Sequence, residues 1–225
     1  MELEPKLIDV EVPDRPRGAV LVLHGGASRR ENMMVSPTQL SVVRMVPIAR
    51  RIAREGRDEL AVFRLLNSRR GWDTHHTPVR DAHWALDQIA ERLGQDVPIC
   101  LVGHSLGGRA AILTADRSEV RGAVALAPYV YPTDIPHRLA GQRILVVHGS
   151  EDRIASPNRA YELTQRLGAL TPAAYVLVQN AKHAMLARHG VFSRLAAEFA
   201  TAALLGRSTH PVIERIKSGE TFLQV

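Results

Sequence analysis

Six short strand-like runs punctuate this chain, and helix-compatible stretches separate most of them. The runs are Gly18 to His24, Leu60 to Leu66, Val97 to Val102, Ala123 to Leu126, Arg143 to His148 and Ala173 to Val178. The first is continuously apolar, as a strand must be when both faces of its sheet are covered. Strands that alternate with helices pair through crossovers, which gives a parallel sheet with helices on both faces. This pattern predicts a single α/β domain.

The helical segments fit that plan. Val42, Val46, Ala49 and Ala53 keep helical spacing, with Gly56 as the stop; Pro47 either kinks this helix or starts it. Thr77-Pro78 opens a helix in cap-then-proline style, burying Val79, Ala82, Leu86, Ile89, Ala90 and Leu93. Ser156-Pro157 does the same for a helix ending near Gly168. Phe192, Leu195, Ala196, Phe199 and Ala203 form a last helix, with Gly206 past its end. Leu7 to Val12 alternates apolar and polar residues, as an edge strand does. The domain is expected over 1–206. Residues 207–225 have no clear period and read as a tail or surface-docked segment.

Composition narrows the function. The 225 residues suit one domain, and 45% hydrophobic content is enough for a sizeable core. No apolar stretch approaches a membrane span, and no basic start followed by an apolar segment marks the first residues, so neither a span nor a secretion signal is expected. The single cysteine, Cys100, forms no internal disulfide and reads as a small buried hydrophobe; a cytoplasmic location is the expectation. Net charge is +6. With only Lys6, Lys182 and Lys217 as lysines, 26 of the 29 basic residues are arginine. These arginines are scattered, and aromatics make up only 4%, so a solvated surface rather than a nucleic-acid interface is expected.

Functional groups in such sheets gather at the carboxyl ends of strands. His24-Gly25-Gly26-Ala27 follows the first run. Gly103-His104-Ser105-Leu106-Gly107 follows the third, His148-Gly149-Ser150-Glu151-Asp152 the fifth and Asn180-Ala181-Lys182-His183 the sixth. A G-x-S-x-G turn between strand and helix strains the serine backbone and exposes its hydroxyl. A serine, an acid and a histidine thus occur in that order, each just past a strand. Histidine can take the serine proton and later return it, while a carboxylate holds the imidazole in the required tautomer. A developing oxyanion needs preorganised donors. The N–H of Leu106 is one candidate and that of Gly26 the other, with Ala27 as second choice. Glu151 competes with Asp152 for the acid, and His189 with His183 for the base. His24, His104 and His148 read as structural histidines, and a metal site at His75-His76 as the lesser reading of a solvated pair.

These pieces resemble the α/β-hydrolase superfamily. The matching segments are His24-Gly25-Gly26, Gly103 to Gly108, His148 to Asp152 and His183, spanning about Leu7 to Leu205. The resemblance implies a mainly parallel sheet with one antiparallel strand near the start. It implies Ser105 as nucleophile, Asp152 (fourth in Gly-x-x-Asp) as the acid and His183 as the base, with no cofactor. Many members carry a helical lid after the strand that follows the nucleophile helix. Here Ala127 to Gln142 is too short for a multi-helix lid, so an open site is expected. Three stretches should border it: Ala27 to Arg30, Ser68 to His76 and Pro128 to Pro132. Trp72, Tyr129 and Tyr131 are candidate substrate contacts, or equally anchors for their loops. Arg29, Arg30, Arg69 and Arg70 could attract an anion, although ordinary surface arginine is the simpler reading. The expected activity is hydrolysis of small-molecule carboxylic esters through an acyl-enzyme. Thioester or lactone cleavage, acyl transfer and a non-catalytic binding role are the alternatives.

Overall fold

The computed structural model describes residues 4–26 and 35–225. Alternate side chains of its central strands go to opposite faces of one sheet. In β2 (Gly18–Leu23), Val20 and Val22 enter one core, whereas Ala19, Leu21 and Leu23 enter another. All are essentially inaccessible to solvent. This burial explains why β2 reads as unbroken apolar sequence.

The sheet has eight strands in the order β1-β3-β2-β4-β5-β6-β7-β8. β1 (Lys6–Glu11) runs antiparallel to β3 (Leu60–Leu66), and every other pairing is parallel. β4 (Ile99–His104), β5 (Val120–Leu126), β6 (Arg143–Gly149) and β7 (Ala173–Val178) continue from β2 toward the far edge. Helices α2 (Met45–Gly56) and α6 (His189–Leu205) cover one face, with Ile48, Ile52, Phe192 and Leu195 in its core. Helices α3 (Thr77–Leu93), α4 (Leu106–Leu113) and α5 (Pro157–Gly168) cover the other.

Local chemistry sets the helix ends. A short α1 (Leu40–Val43) precedes α2, and Pro47 falls in the first turn of α2, where a missing N–H costs no helical bond. Thr77 is not itself the cap of α3, as its place before Pro78 suggests. Asp73 accepts from the Thr77 N–H at 2.8 Å and also takes the Thr77 hydroxyl. Ser156 does cap α5, its hydroxyl accepting from the Arg159 N–H at 3.3 Å.

Residues 207–225, expected as a tail or surface-docked segment, form α7 (Pro211–Lys217) and β8 (Phe222–Gln224). β8 adds to the sheet beside β7, and Ile213 and Leu223 are buried in the α6-side core. Three-residue β8 is too short to show a period. Residues 127–142, between β5 and β6, contain no helix, so among the described residues no multi-helix lid covers the carboxyl ends of the strands.

Candidate active site

The turn after β4 fixes Ser105. Its backbone sits at φ 55°, ψ −118°, outside the regions a side chain normally tolerates. The packing around it requires glycine. A Cβ on Gly103 would lie 2.0 Å from the carbonyl oxygen of Gly107. The Ser105 N–H donates to the Leu126 carbonyl at 2.9 Å. Its own carbonyl accepts from Arg109 and Tyr129, each at 3.1 Å. The strained turn is therefore tied to β5, to α4 and to the loop after β5.

The loops after β6 and β7 bring the other two groups in. A Cβ on Gly149 would fall 2.2 Å from the Ala181 carbonyl oxygen, so only glycine lets these loops touch. Glu151 N–H donates to that same carbonyl at 2.9 Å. Across this contact His183 Nδ1–H donates to Asp152 Oδ2 at 2.8 Å. The Ser105 hydroxyl lies 3.0 Å from His183 Nε2, with the geometry to donate to it. The structure thus brings together Ser105, His183 and Asp152. It leaves Glu151 exposed and puts His189 at the start of α6.

Asp152 is buried, which by itself would raise its pKa. Hydrogen bonds from His148, His183 and the Ala155 N–H outweigh burial and hold the carboxyl well below the usual carboxylate range. Oδ1 accepts from Ile154 and Ala155 N–H groups, each at 2.9 Å. Oδ2 accepts from His148 Nε2–H at 3.1 Å as well as from His183. His148 therefore belongs to this network as a structural hydrogen-bonding group; what its reading at a strand end left open was the partner, Asp152. Its place at the end of β6, four residues before Asp152, was the available signal.

His104 is similarly involved. Its Nε2–H donates to the His183 backbone carbonyl at 3.0 Å, and the two rings lie 5.0 Å apart. Burial and the neighbouring His183 push its pKa down to about 3, so it stays neutral. His24 is also kept neutral by burial; its Nδ1–H donates to the Gly25 carbonyl at 2.6 Å and its Nε2 accepts from the Asn67 N–H at 3.1 Å.

The Leu106 N–H lies in the first turn of α4, where amides have no partner inside the helix. Gly25 borders the serine directly: a Cβ there would be 3.1 Å from Ser105 Cβ. Gly26 follows it and is the last described residue of that loop. Ala27, Arg29 and Arg30 lie outside the described residues. A cleft of about 360 Å³ runs beside Asp152, lined by Tyr129, Val130, Ile154 and Arg159. Trp72 and Tyr131 both flank the guanidinium of Arg109, a contact invisible in the sequence. Among the described residues, no group of three metal-ligating side chains assembles, at His75-His76 or elsewhere. No described helix is long and apolar enough to cross a membrane.

Residues 20–217 match the model of the alpha/beta hydrolase family. Comparison with curated proteins finds none that matches. Among solved structures, an α/β serine hydrolase without a lid from Xanthomonas campestris superposes with a TM-score of 0.65 at 17% identity, covering 88% of this chain and 87% of that one. An α/β serine hydrolase homologue from Coxiella burnetii gives 0.64 at 16% identity, over 86% and 90%. A thermophilic carboxylesterase cloned from a metagenomic library gives 0.64 at 19%, over 88% and 89%. At these identities the likeness is one of fold.

Proposed function

Because the chain belongs to the alpha/beta hydrolase family, we propose that it is a serine hydrolase that cleaves carboxylic esters through an acyl-enzyme on Ser105. The observation that carries this reading is the continuous path from the Ser105 hydroxyl to His183 at 3.0 Å and on to Asp152 at 2.8 Å. The carboxylesterase among the fold neighbours is consistent with it.

Ser105 Oγ attacks the ester carbonyl carbon while its proton passes to His183 Nε2. The carbonyl π electrons move onto oxygen, and the N–H groups of Leu106 and Gly26 receive that oxyanion. Asp152 keeps the His183 proton on Nδ1, leaving Nε2 free to accept, and stabilises the imidazolium that results. Collapse of the tetrahedral adduct breaks the bond to the alcohol oxygen, which takes the proton from His183. Water then attacks the acyl carbon, giving up its proton to His183; the bond to Ser105 Oγ breaks, Oγ takes that proton back, and the acid leaves. Trp72, Tyr129 and Tyr131 border the space where the acyl and alcohol groups would lie. No lid excludes water, so tolerance of varied small esters is the expected behaviour.

A fluorophosphonate probe tests the proposal. Stoichiometric labelling of Ser105, lost in Ser105→Ala, is the expected result. A folded wild-type protein that takes up no probe and hydrolyses no aryl ester would overturn it.

A further inference from the structure

Arg109 lies one helical turn after Ser105, on α4. Its guanidinium sits over the indole of Trp72, 4.1 Å from the ring centroid, and 5.1 Å from the centroid of Tyr131. Its terminal nitrogen donates to Asp134 Oδ1 at 2.8 Å, and Asp134 Oδ2 accepts the Tyr131 N–H at 2.8 Å. The pair is largely buried: the Arg109 side chain is 13% exposed and that of Asp134 8%. One side chain therefore holds the loop after β3, through Trp72, and the loop after β5, through Asp134 and Tyr131.

Each of those loops backs a different part of the site. Gly71, next to Trp72, lies behind Gly26; a Cβ on Gly26 would meet the Gly71 nitrogen at 3.3 Å. Tyr129, on the second loop, donates its N–H to the Ser105 carbonyl at 3.1 Å. A buried ion pair is weak evidence for stability, since desolvation offsets its attraction. A planar guanidinium is suited to fixing geometry, because it stacks on aromatic faces and pairs with a carboxylate at once; lysine cannot do both.

We propose that Arg109 is a positioning residue that locks the loop behind Gly26 and the loop on Ser105 in one register, fixing the oxyanion donor relative to the nucleophile. This inference rests on the hydrolase reading above. It makes Trp72 and Tyr131 parts of the clamp. A displacement of about 1 Å in such an arrangement costs up to about a hundredfold in rate, even from outside the reacting groups.

The test compares Arg109→Lys and Arg109→Met with wild type, using fluorophosphonate titration to count reactive Ser105, so that loss of folded protein does not enter the rates. For a short-chain aryl ester, kcat per titrated site should fall between about tenfold and a hundredfold in both variants, with KM changed less than about threefold. Affinity for an arylboronic acid, whose serine adduct places an oxygen in the oxyanion site, should weaken by a similar factor. Unchanged kcat per site and boronate affinity, with only a lower melting temperature, would reduce Arg109 to a structural role. A raised KM at constant kcat would make it a substrate contact instead. Amide hydrogen exchange separates this inference from the hydrolase reading. In Arg109→Lys, segments 67–76 and 127–135 should exchange faster together, and acceleration of only one would end the clamp whatever the enzyme does. A wild type inert to both the probe and the ester ends the hydrolase reading, and the positioning role with it.

Discussion

His148 and His183 donate to the same oxygen, Oδ2 of Asp152, at 3.1 and 2.8 Å. The carboxylate thus has donors on both oxygens, two of them backbone amides. Such a carboxylate has one favoured orientation, and that orientation aims His183 at Ser105. Asp152→Asn preserves the shape but lets the amide nitrogen face a ring nitrogen that should carry the proton. A loss of about four orders of magnitude in kcat is expected. Glu151 is exposed, so Glu151→Gln should stay within about twofold of wild type. Ester hydrolysis by the two purified variants checks the ranking.

His148 acts on the site through Asp152. Its Nε2–H also reaches the Ala155 carbonyl at 3.3 Å, while Nδ1 is buried without a partner. Replacing it by leucine removes one donor from a buried carboxylate. A hydrogen bond to a charged group contributes about 1.5–3 kcal/mol. His148→Leu should therefore lower stability by about that amount in urea unfolding, and should lower kcat more than it raises KM. Equal stability and an unchanged rate would remove His148 from the network.

Stability should fall on mild acidification because of histidines held neutral. Burial pushes the His104 pKa down to about 3, and burial lowers that of His24 as well. In the unfolded chain both take up protons near pH 6.5. Between that pH and about 3 for His104, the unfolded state binds the extra proton, so folding stability declines as pH falls, by up to ~1.4 kcal/mol per pH unit for each histidine. Asp152 works in a separate window. Its lowered pKa adds stability above the ordinary carboxylate range, about pH 4, and that contribution is lost only at still lower pH. Denaturant midpoints measured from pH 6.5 to 4.5 therefore separate the histidines from Asp152. Asp81, whose pKa burial raises, works in the opposite sense there, so the histidine contribution is read from a variant. His104→Gln, whose amide can still donate to the His183 carbonyl, should flatten the slope by about one proton.

Most of this architecture was legible because local sequence and tertiary role agree. β2, β3 and β7 are buried on both faces, so their sequences carry the signal unaided. The turn at Ser105 was legible because Gly103 has no room for a side chain. Ser105, Asp152 and His183 are far apart in the chain but each is marked by a strand end; partners with no such mark were not legible. Arg109 and Asp134 are 25 residues apart, and nothing near either one announces the pair. Thr77 does not cap α3 because the cap position falls on His76, at φ 51°, and the Thr77 N–H is taken by the Asp73 carboxylate, four residues back. β8 escaped notice because only Leu223 of its three residues is buried.

The contact between Gly149 and Ala181 is the narrowest point in the scaffold that carries Asp152 and His183. A methyl group on Gly149 would meet backbone, the Ala181 carbonyl oxygen at 2.2 Å, with no flexible side chain to yield. The loops must separate, and the 2.8 Å bond between Asp152 and His183 spans that same gap. Overpacking of this kind costs about 1–3 kcal/mol. Gly149→Ala should therefore fold with a lower melting temperature and lose at least about a hundredfold in kcat, since both orienting loops move. Gly168→Ala is the matched control. It sits at the end of α5, where an added Cβ meets nothing within 4 Å, and it should leave both rate and stability near wild type. Thermal unfolding and ester hydrolysis on the pair distinguish a site-specific clash from a general effect of losing a glycine.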